Sequence, residues 1–248
     1  MVVRWTAYGR GDPVTLVVHG LGATAGEARI PASGLAGTRV VLTLPGHGTA
    51  PDAPPGYWDY ARIAADVREV ADEVAATRAV GVSLGSGALT RILAEQPDRF
   101  AKVALLLPAA LDGPRDTRTA AAFGELAAAV AAADADGGAQ LHRVLRAEVP
   151  EGADVGDHLQ QRAAALLRVP EALRALPERY PIDDAAALAA VRAGVLVVGA
   201  TEDPLHPADT AEATAAAFPD ARLELLPSAA PMLTHRARLR ALLTEHLR

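Results

Sequence analysis

Three stretches of the chain are apolar with no alternation: "TLVVH" at residues 15–19, "VALLL" at 103–107 and "VLVVG" at 195–199. A strand with one face in water carries a polar residue at every second position, so unbroken runs belong to strands covered on both faces. That pattern calls for a parallel sheet with helices on either side. Together with similar β-branched and Leu/Val runs, it predicts strands at residues 14–19, 39–44, 78–82, 102–107, 195–199 and 222–226. Between them, residues 57–76, 86–96, 207–218 and 236–247 carry helical spacing, with Asp59 placed to cap the first and Pro207 suited to the first turn of the third. Alternating strand and helix predicts the α/β class, with a mostly parallel, doubly wound open sheet.

The rhythm breaks after Pro108. From there to about residue 190 only Ala/Leu-rich helical pieces occur, at 117–133, 139–147, 157–167 and 171–176, and the strand pattern resumes at Val195. A helical insertion between two core strands therefore fits better than a second domain. The expected organisation is a core of residues 1–107 and 191–248 with an insertion at 108–190. A chain of 248 residues, half of them hydrophobic, can bury one such core.

Composition removes several function classes. A net charge of -6 without a basic run argues against a nucleic-acid partner. With no cysteine, the chain has no disulfide, no thiolate chemistry and no Cys-based metal site. No histidine pair has the spacing of a zinc motif, so neither a metal nor another cofactor is expected. The opening "MVVRWTAYGRGDP" lacks a basic region followed by an apolar run, which predicts a cytoplasmic protein without a signal peptide. The Ala-rich stretch 118–136 is interrupted by Gly124 and Glu125, and alanine is weakly hydrophobic, so no membrane span is expected. A small molecule is the expected partner.

"AVGVSLGSGALT", residues 79–90, carries the chemistry. Gly-Val-Ser-Leu-Gly sits where a predicted strand ends and a helix begins, the context that a G-x-S-x-G turn requires. Flanking glycines permit a sharp bend without Cβ clashes, so Ser83 would stand exposed above the sheet as a candidate nucleophile. A helix N-terminus beside it favours developing negative charge. A serine hydroxyl is nevertheless a poor nucleophile without a base.

"VVHGLGA" (17–23), "LPGHGTAP" (44–51), "GVSLGSGA" (81–88) and "GATEDPLHP" (199–207) occur in the order and setting found in the α/β-hydrolase family, which the chain resembles over essentially its full length. The resemblance implies an α/β-hydrolase fold with an eight-stranded type of sheet, shortened at the N-terminus, and a helical cap at 108–190. It implies that the backbone N–H groups of Leu21 and Leu84 form an oxyanion hole, the preorganised donors that a tetrahedral oxyanion needs. It also implies that Asp203, rather than its neighbour Glu202, is the triad acid. His19 and His47 fall in backbone motifs that order loops near the site.

The base departs from the pattern. Similar proteins carry a histidine after the last strand, near positions 229–231, where this chain has "SAAPMLTHR" with Pro231 at the aligned place. Three solutions remain open. His235, four residues on, is the expected base, although four extended residues span up to about 13 Å and the loop would have to fold unusually. His206, three residues after Asp203, is expected near the pocket as a substrate-binding group and is a second candidate base. In the third solution no triad forms. His19 and Trp58 are further candidates for substrate contact, and His142 and His158 in the insertion could face a ligand. Phe123, Leu126, Leu145, Leu159, Leu166, Tyr57 and Tyr180 are expected to make the pocket apolar. The leading expectation is a serine hydrolase acting on a small, largely apolar ester, lactone, thioester or amide. The alternatives are a lyase, isomerase or cyclase on the same scaffold, or a ligand-binding protein with an incomplete triad.

Overall fold

A computed structural model describes residues 3–149 and 155–248. Seven strands form: β1 (Arg4–Tyr8), β2 (Val14–Val18), β3 (Thr38–Thr43), β4 (Arg78–Val82), β5 (Lys102–Leu106), β6 (Gly194–Ala200) and β7 (Ala221–Leu226). They lie in one sheet in the order β1-β3-β2-β4-β5-β6-β7. All neighbours are parallel except β1, which runs antiparallel along β3 from Arg4 opposite Thr43 to Tyr8 opposite Arg39. The six strands expected from apolar runs are present within a residue or so. The edge strand β1 was not expected, because "RWTAY" is largely exposed and has no apolar run to mark it.

Alternation along the strands sorts side chains onto two faces. Leu16, Val18, Val40, Leu42, Val103, Leu105, Val195 and Val197 pack with Ile63, Val67 and Val70 of α2 (Tyr60–Glu73) and with Leu89, Ile92 and Leu93 of α3 (Leu84–Glu95). On the other face α1 (Ala25–Arg29) covers Val17 and Val41. There too, Val80, Ala104, Leu106, Leu196 and Val198 meet Leu239, Leu242 and Leu243 near the C-terminus. Asp59 caps α2 as expected, accepting a hydrogen bond from the Ala61 N–H at 2.9 Å.

Between β5 and β6 the described residues form helices and turns only: α4 (Thr117–Asp136), α5 (Ala139–Ala147), α6 (His158–Leu167) and α7 (Pro170–Ala175). They pack around their own cluster of Phe123, Leu126, Val130, Leu141, Leu145, Leu166 and Leu173, which reaches the sheet layer through Leu21 and Leu205. Beyond β6 lie α8 (Ala208–Ala216), α9 (Pro231–Thr234) and α10 (Arg236–His246). Pro207 stands one residue before α8, at its cap. No described helix is long and apolar enough to cross a membrane.

The strand order has a functional consequence. From β2 the chain winds outward to β3, then crosses back to β4 on the other side of β2. The loops leaving the carboxyl ends of β2 and β4 therefore diverge and open a crevice, the place where ligands bind in open α/β sheets.

Candidate active site

Ser83 occupies that crevice. It caps the N-terminus of α3 with φ 50° and ψ -107°, a strained backbone for a residue bearing a Cβ. The two glycines of the motif make the turn possible. A Cβ on Gly81 would lie 2.5 Å from the Gly85 carbonyl carbon, and one on Gly85 would lie 2.2 Å from the Val18 oxygen. The turn is held from below: Ser83 N–H donates to Leu106 O at 2.9 Å, and the buried Ser86 hydroxyl reaches the carbonyl oxygens of Gly81 and Leu106 at 2.9 and 2.7 Å.

The loop after β6 supplies the partners of Ser83. His206 Nδ1 lies 2.8 Å from Asp203 Oδ2, and His206 Nε2 lies 2.7 Å from Ser83 Oγ. With Nδ1–H donating to the carboxylate, Nε2 is left to accept the serine proton, so these partners define the tautomer. Asp203 also accepts the Leu205 N–H at 2.9 Å, which folds "DPLHP" into a tight turn between Pro204 and Pro207. Burial works to raise the Asp203 carboxyl, but the His206 charge and hydrogen bond and nearby backbone N–H groups hold its pKa below the usual carboxylate value. Asp203 and His206 therefore come from one loop, three residues apart.

The remaining expected residues separate into those at Ser83 and those away from it. A Cβ on Gly20 would meet the Ser83 Cβ at 3.3 Å, so the loop carrying Leu21 lies directly against the serine. The N–H groups of Leu21 and Leu84 have no acceptor among the described residues. His19 lines the same cavity but is nearly sealed. Its Nε2 accepts the Leu44 N–H at 3.1 Å, while His47 Nε2 accepts the Gly22 N–H at 2.8 Å. The two rings lie 4.6 Å apart and tie the Leu21 loop to the loop after β3.

Two expectations are corrected. His235 does not approach Ser83: residues 231–234 wind into α9, which rises only about 1.5 Å per residue, so His235 cannot swing in on an extended segment. Its Nδ1 pairs with Thr234 Oγ1 at 2.8 Å, and it borders a separate depression with Arg146 and Glu202. Ser228 stabilises this turn, its Oγ accepting the Ala230 N–H at 2.9 Å and lying 2.7 Å from Thr234 Oγ1. Trp58 is not a cavity residue either; it is buried edge-on against Tyr57 and His47.

The cavity over Ser83 has a volume of about 310 Å³. Its walls include the expected Phe123, Leu126, Leu145 and Leu166, whereas Tyr180 is exposed at the surface and Leu159 packs within the α4–α7 cluster. His158 lines the cavity and His142 does not. The sequence reading missed Glu27, Glu148 and Arg162, polar groups that α1, the turn after α5 and α6 bring to the same space. Lone charges in amphipathic helices carry no local signal that they face inward. Among the described residues, no group of three or more His, Asp or Glu side chains could hold a metal ion.

The buried histidine pair makes the fold sensitive to acid. Burial lowers the pKa of both rings, His47 down to about 3, with His19 nearby adding to the effect on His47. In the unfolded chain each ring takes up a proton near pH 6.5, whereas in the fold His47 refuses it until about pH 3. The unfolded state thus binds more protons, and stability is lost as pH falls below about 6.5, by about one proton's worth per pH unit for His47 and in the same direction for His19. Urea midpoints measured from pH 7 to pH 4 should fall steadily. The slope should be shallower in His47→Gln by about one proton's worth.

A sequence profile described as "Alpha/beta hydrolase family" matches residues 15–242. None of the curated proteins compared with the chain matches it. Among solved structures, an esterase from Exiguobacterium antarcticum is similar at TM-score 0.76 and 19% identity, over 99% of this chain and 95% of that one. A hydrolase from Pseudomonas aeruginosa PA01 is similar at TM-score 0.74 and 25% identity, over 98% and 93%. A carboxylesterase from Bacillus subtilis gives TM-score 0.76 and 16% identity, over 99% and 87%. With its motifs, sheet order and profile match in agreement, the chain belongs to the alpha/beta hydrolase family.

Proposed function

We propose that this chain is a serine hydrolase of small, largely apolar esters, lactones, thioesters or amides, with Ser83 as nucleophile, His206 as base and Asp203 as the acid that orients it. One observation carries the reading: a continuous hydrogen-bonded chain from Asp203 Oδ2 through His206 to Ser83 Oγ, with links of 2.8 and 2.7 Å. The esterase-like character of similar structures agrees with it. Ser83 Oγ attacks the substrate carbonyl carbon as His206 Nε2 takes the hydroxyl proton, and the Asp203 carboxylate stabilises the resulting imidazolium. The N–H groups of Leu21 and Leu84 receive the oxyanion. His206 then gives its proton to the leaving oxygen, sulfur or nitrogen, and the carbonyl–leaving-group bond breaks to form an acyl-Ser83 ester. Water, deprotonated by the same Nε2, attacks that ester; the acid product leaves and Ser83 recovers its proton. In this reading α4–α7 act as a cap that shapes the acyl or leaving-group pocket.

A fluorophosphonate probe tests the assignment directly. It should label the native protein at Ser83 and neither Ser83→Ala nor His206→Ala. A native protein that stays unlabelled and turns over no activated ester would refute the proposal.

A further inference from the structure

α6 presents His158, Arg162 and Leu166 to the cavity, at i, i+4 and i+8 on one helical face. Its seat on the Leu21 loop is close: a Cβ on Gly22 would lie 2.5 Å from Leu166 Cδ2. Among the described residues lining the cavity, Arg162 is the only arginine or lysine. Its side chain is 15% exposed. Nε donates to Glu148 Oε2 at 3.1 Å, and Nη1 reaches Gly22 O only at 3.5 Å. Nη2 has no acceptor among the described residues, yet it is not among the buried polar atoms sealed without a partner. A guanidinium carries five N–H donors, and those of Nη2 are left free at the cavity wall, facing whatever ligand enters. The free edge therefore calls for an acceptor brought by a ligand.

The surrounding charge decides what kind of acceptor fits. Burial works to lower the Arg162 pKa, but the carboxylates of Glu148, Glu27 and Asp203 outweigh it and raise the pKa above the usual arginine value. Glu27 is itself engaged, its Oε2 accepting the Thr24 N–H at 2.8 Å and its Oε1 3.7 Å from His158 Nε2. Glu125 adds another carboxylate to the lining. One guanidinium thus faces more than one fixed negative charge, so a ligand carboxylate or phosphate would meet net repulsion. A neutral oxygen would receive the free N–H without that penalty.

We infer that Arg162 is a specificity-determining residue that selects neutral substrates bearing a second carbonyl-type oxygen, a ketone or amide, beyond the scissile carbonyl, and that the site discriminates against anionic ones. The inference rests on the hydrolase reading only for its kinetic arm, since the same preference applies to binding alone.

The experiment compares p-nitrophenyl esters of plain acyl chains with matched esters carrying a keto group at carbon 4, 5 or 6, and with the adipate monoester as the anionic member. In the native protein at least one keto ester should exceed its plain counterpart about 10-fold or more in kcat/KM, the worth of one hydrogen bond from a charged donor. The adipate monoester should fall below the plain hexanoate. Arg162→Met should abolish the keto preference and Arg162→Lys should restore part of it. The same ratios should appear in dissociation constants measured calorimetrically on Ser83→Ala, with no turnover involved. Native protein with no keto preference at any position, a preference that survives in Arg162→Met, or an adipate ester favoured over its neutral partners overturns the inference. If Arg162→Met fails to fold, the native and Ser83→Ala ratios still decide it. Failure of every ester to turn over, with the binding preference intact, would sink the hydrolase assignment and leave the Arg162 subsite standing.

Discussion

His206→Ala is expected to lower kcat/KM on an activated ester by roughly ten-thousand-fold or more, whereas His235→Ala should leave it within about threefold of the native value. The first substitution removes the acceptor 2.7 Å from Ser83 Oγ, and no other imidazole among the described residues is hydrogen-bonded to that oxygen. What activity remains would come from the N–H donors and the cavity. The second removes a ring that is paired with Thr234 outside the cavity. Asp203→Asn should approach the His206→Ala loss, because an amide donating its N–H to Nδ1 would force the proton onto Nε2, the wrong nitrogen for a base. Unchanged melting temperatures would assign these losses to chemistry. A large loss in His235→Ala with an active His206→Ala would reverse the assignment.

Gly85→Ala is expected to cost at least about 3 kcal/mol of stability or to prevent folding, read as a fall in urea midpoint. Its added methyl would sit 2.2 Å from the Val18 oxygen and 2.7 Å from the Val18 carbonyl carbon. Both are backbone atoms of a strand in the middle of the sheet, hydrogen-bonded on either side, and neither can step aside. Gly124→Ala is the matched control. Gly124 lies inside α4 with nothing within 4 Å of its would-be Cβ, so alanine there should stabilise the helix by roughly 0.5–1 kcal/mol. Equal effects at the two positions would mean that the elbow tolerates more slack than its geometry implies.

Much of the architecture is legible in the amino-acid sequence. Leu16–Val18 and Val195–Val198 announce buried parallel strands because a strand covered on both faces has no place for a polar residue. Gly81, Ser83 and Gly85 announce the turn because its backbone collisions exclude any side chain at the flanking positions. Strand β1 went unseen because an exposed edge strand is defined by its hydrogen bonds to β3 and not by its own composition. Arg162, Glu27 and Glu148 went unseen for a related reason. Each is an ordinary polar residue in or just after a short or amphipathic helix, and only the packing of α1, α5 and α6 around one cavity brings them together.

The chain alone determined the six parallel strands, the serine's turn and the aspartate after β6, since each depends on sterics and hydrophobic burial acting over a few neighbouring residues. Which histidine meets the serine was decided by tertiary structure. His206 and His235 differ little as residues, but "DPLHP" closes on Asp203 while 231–234 coils into a helical turn. An imidazole is placed by the path of the backbone that carries it. That path is fixed by hydrogen bonds made once the loop is seated against the rest of the fold.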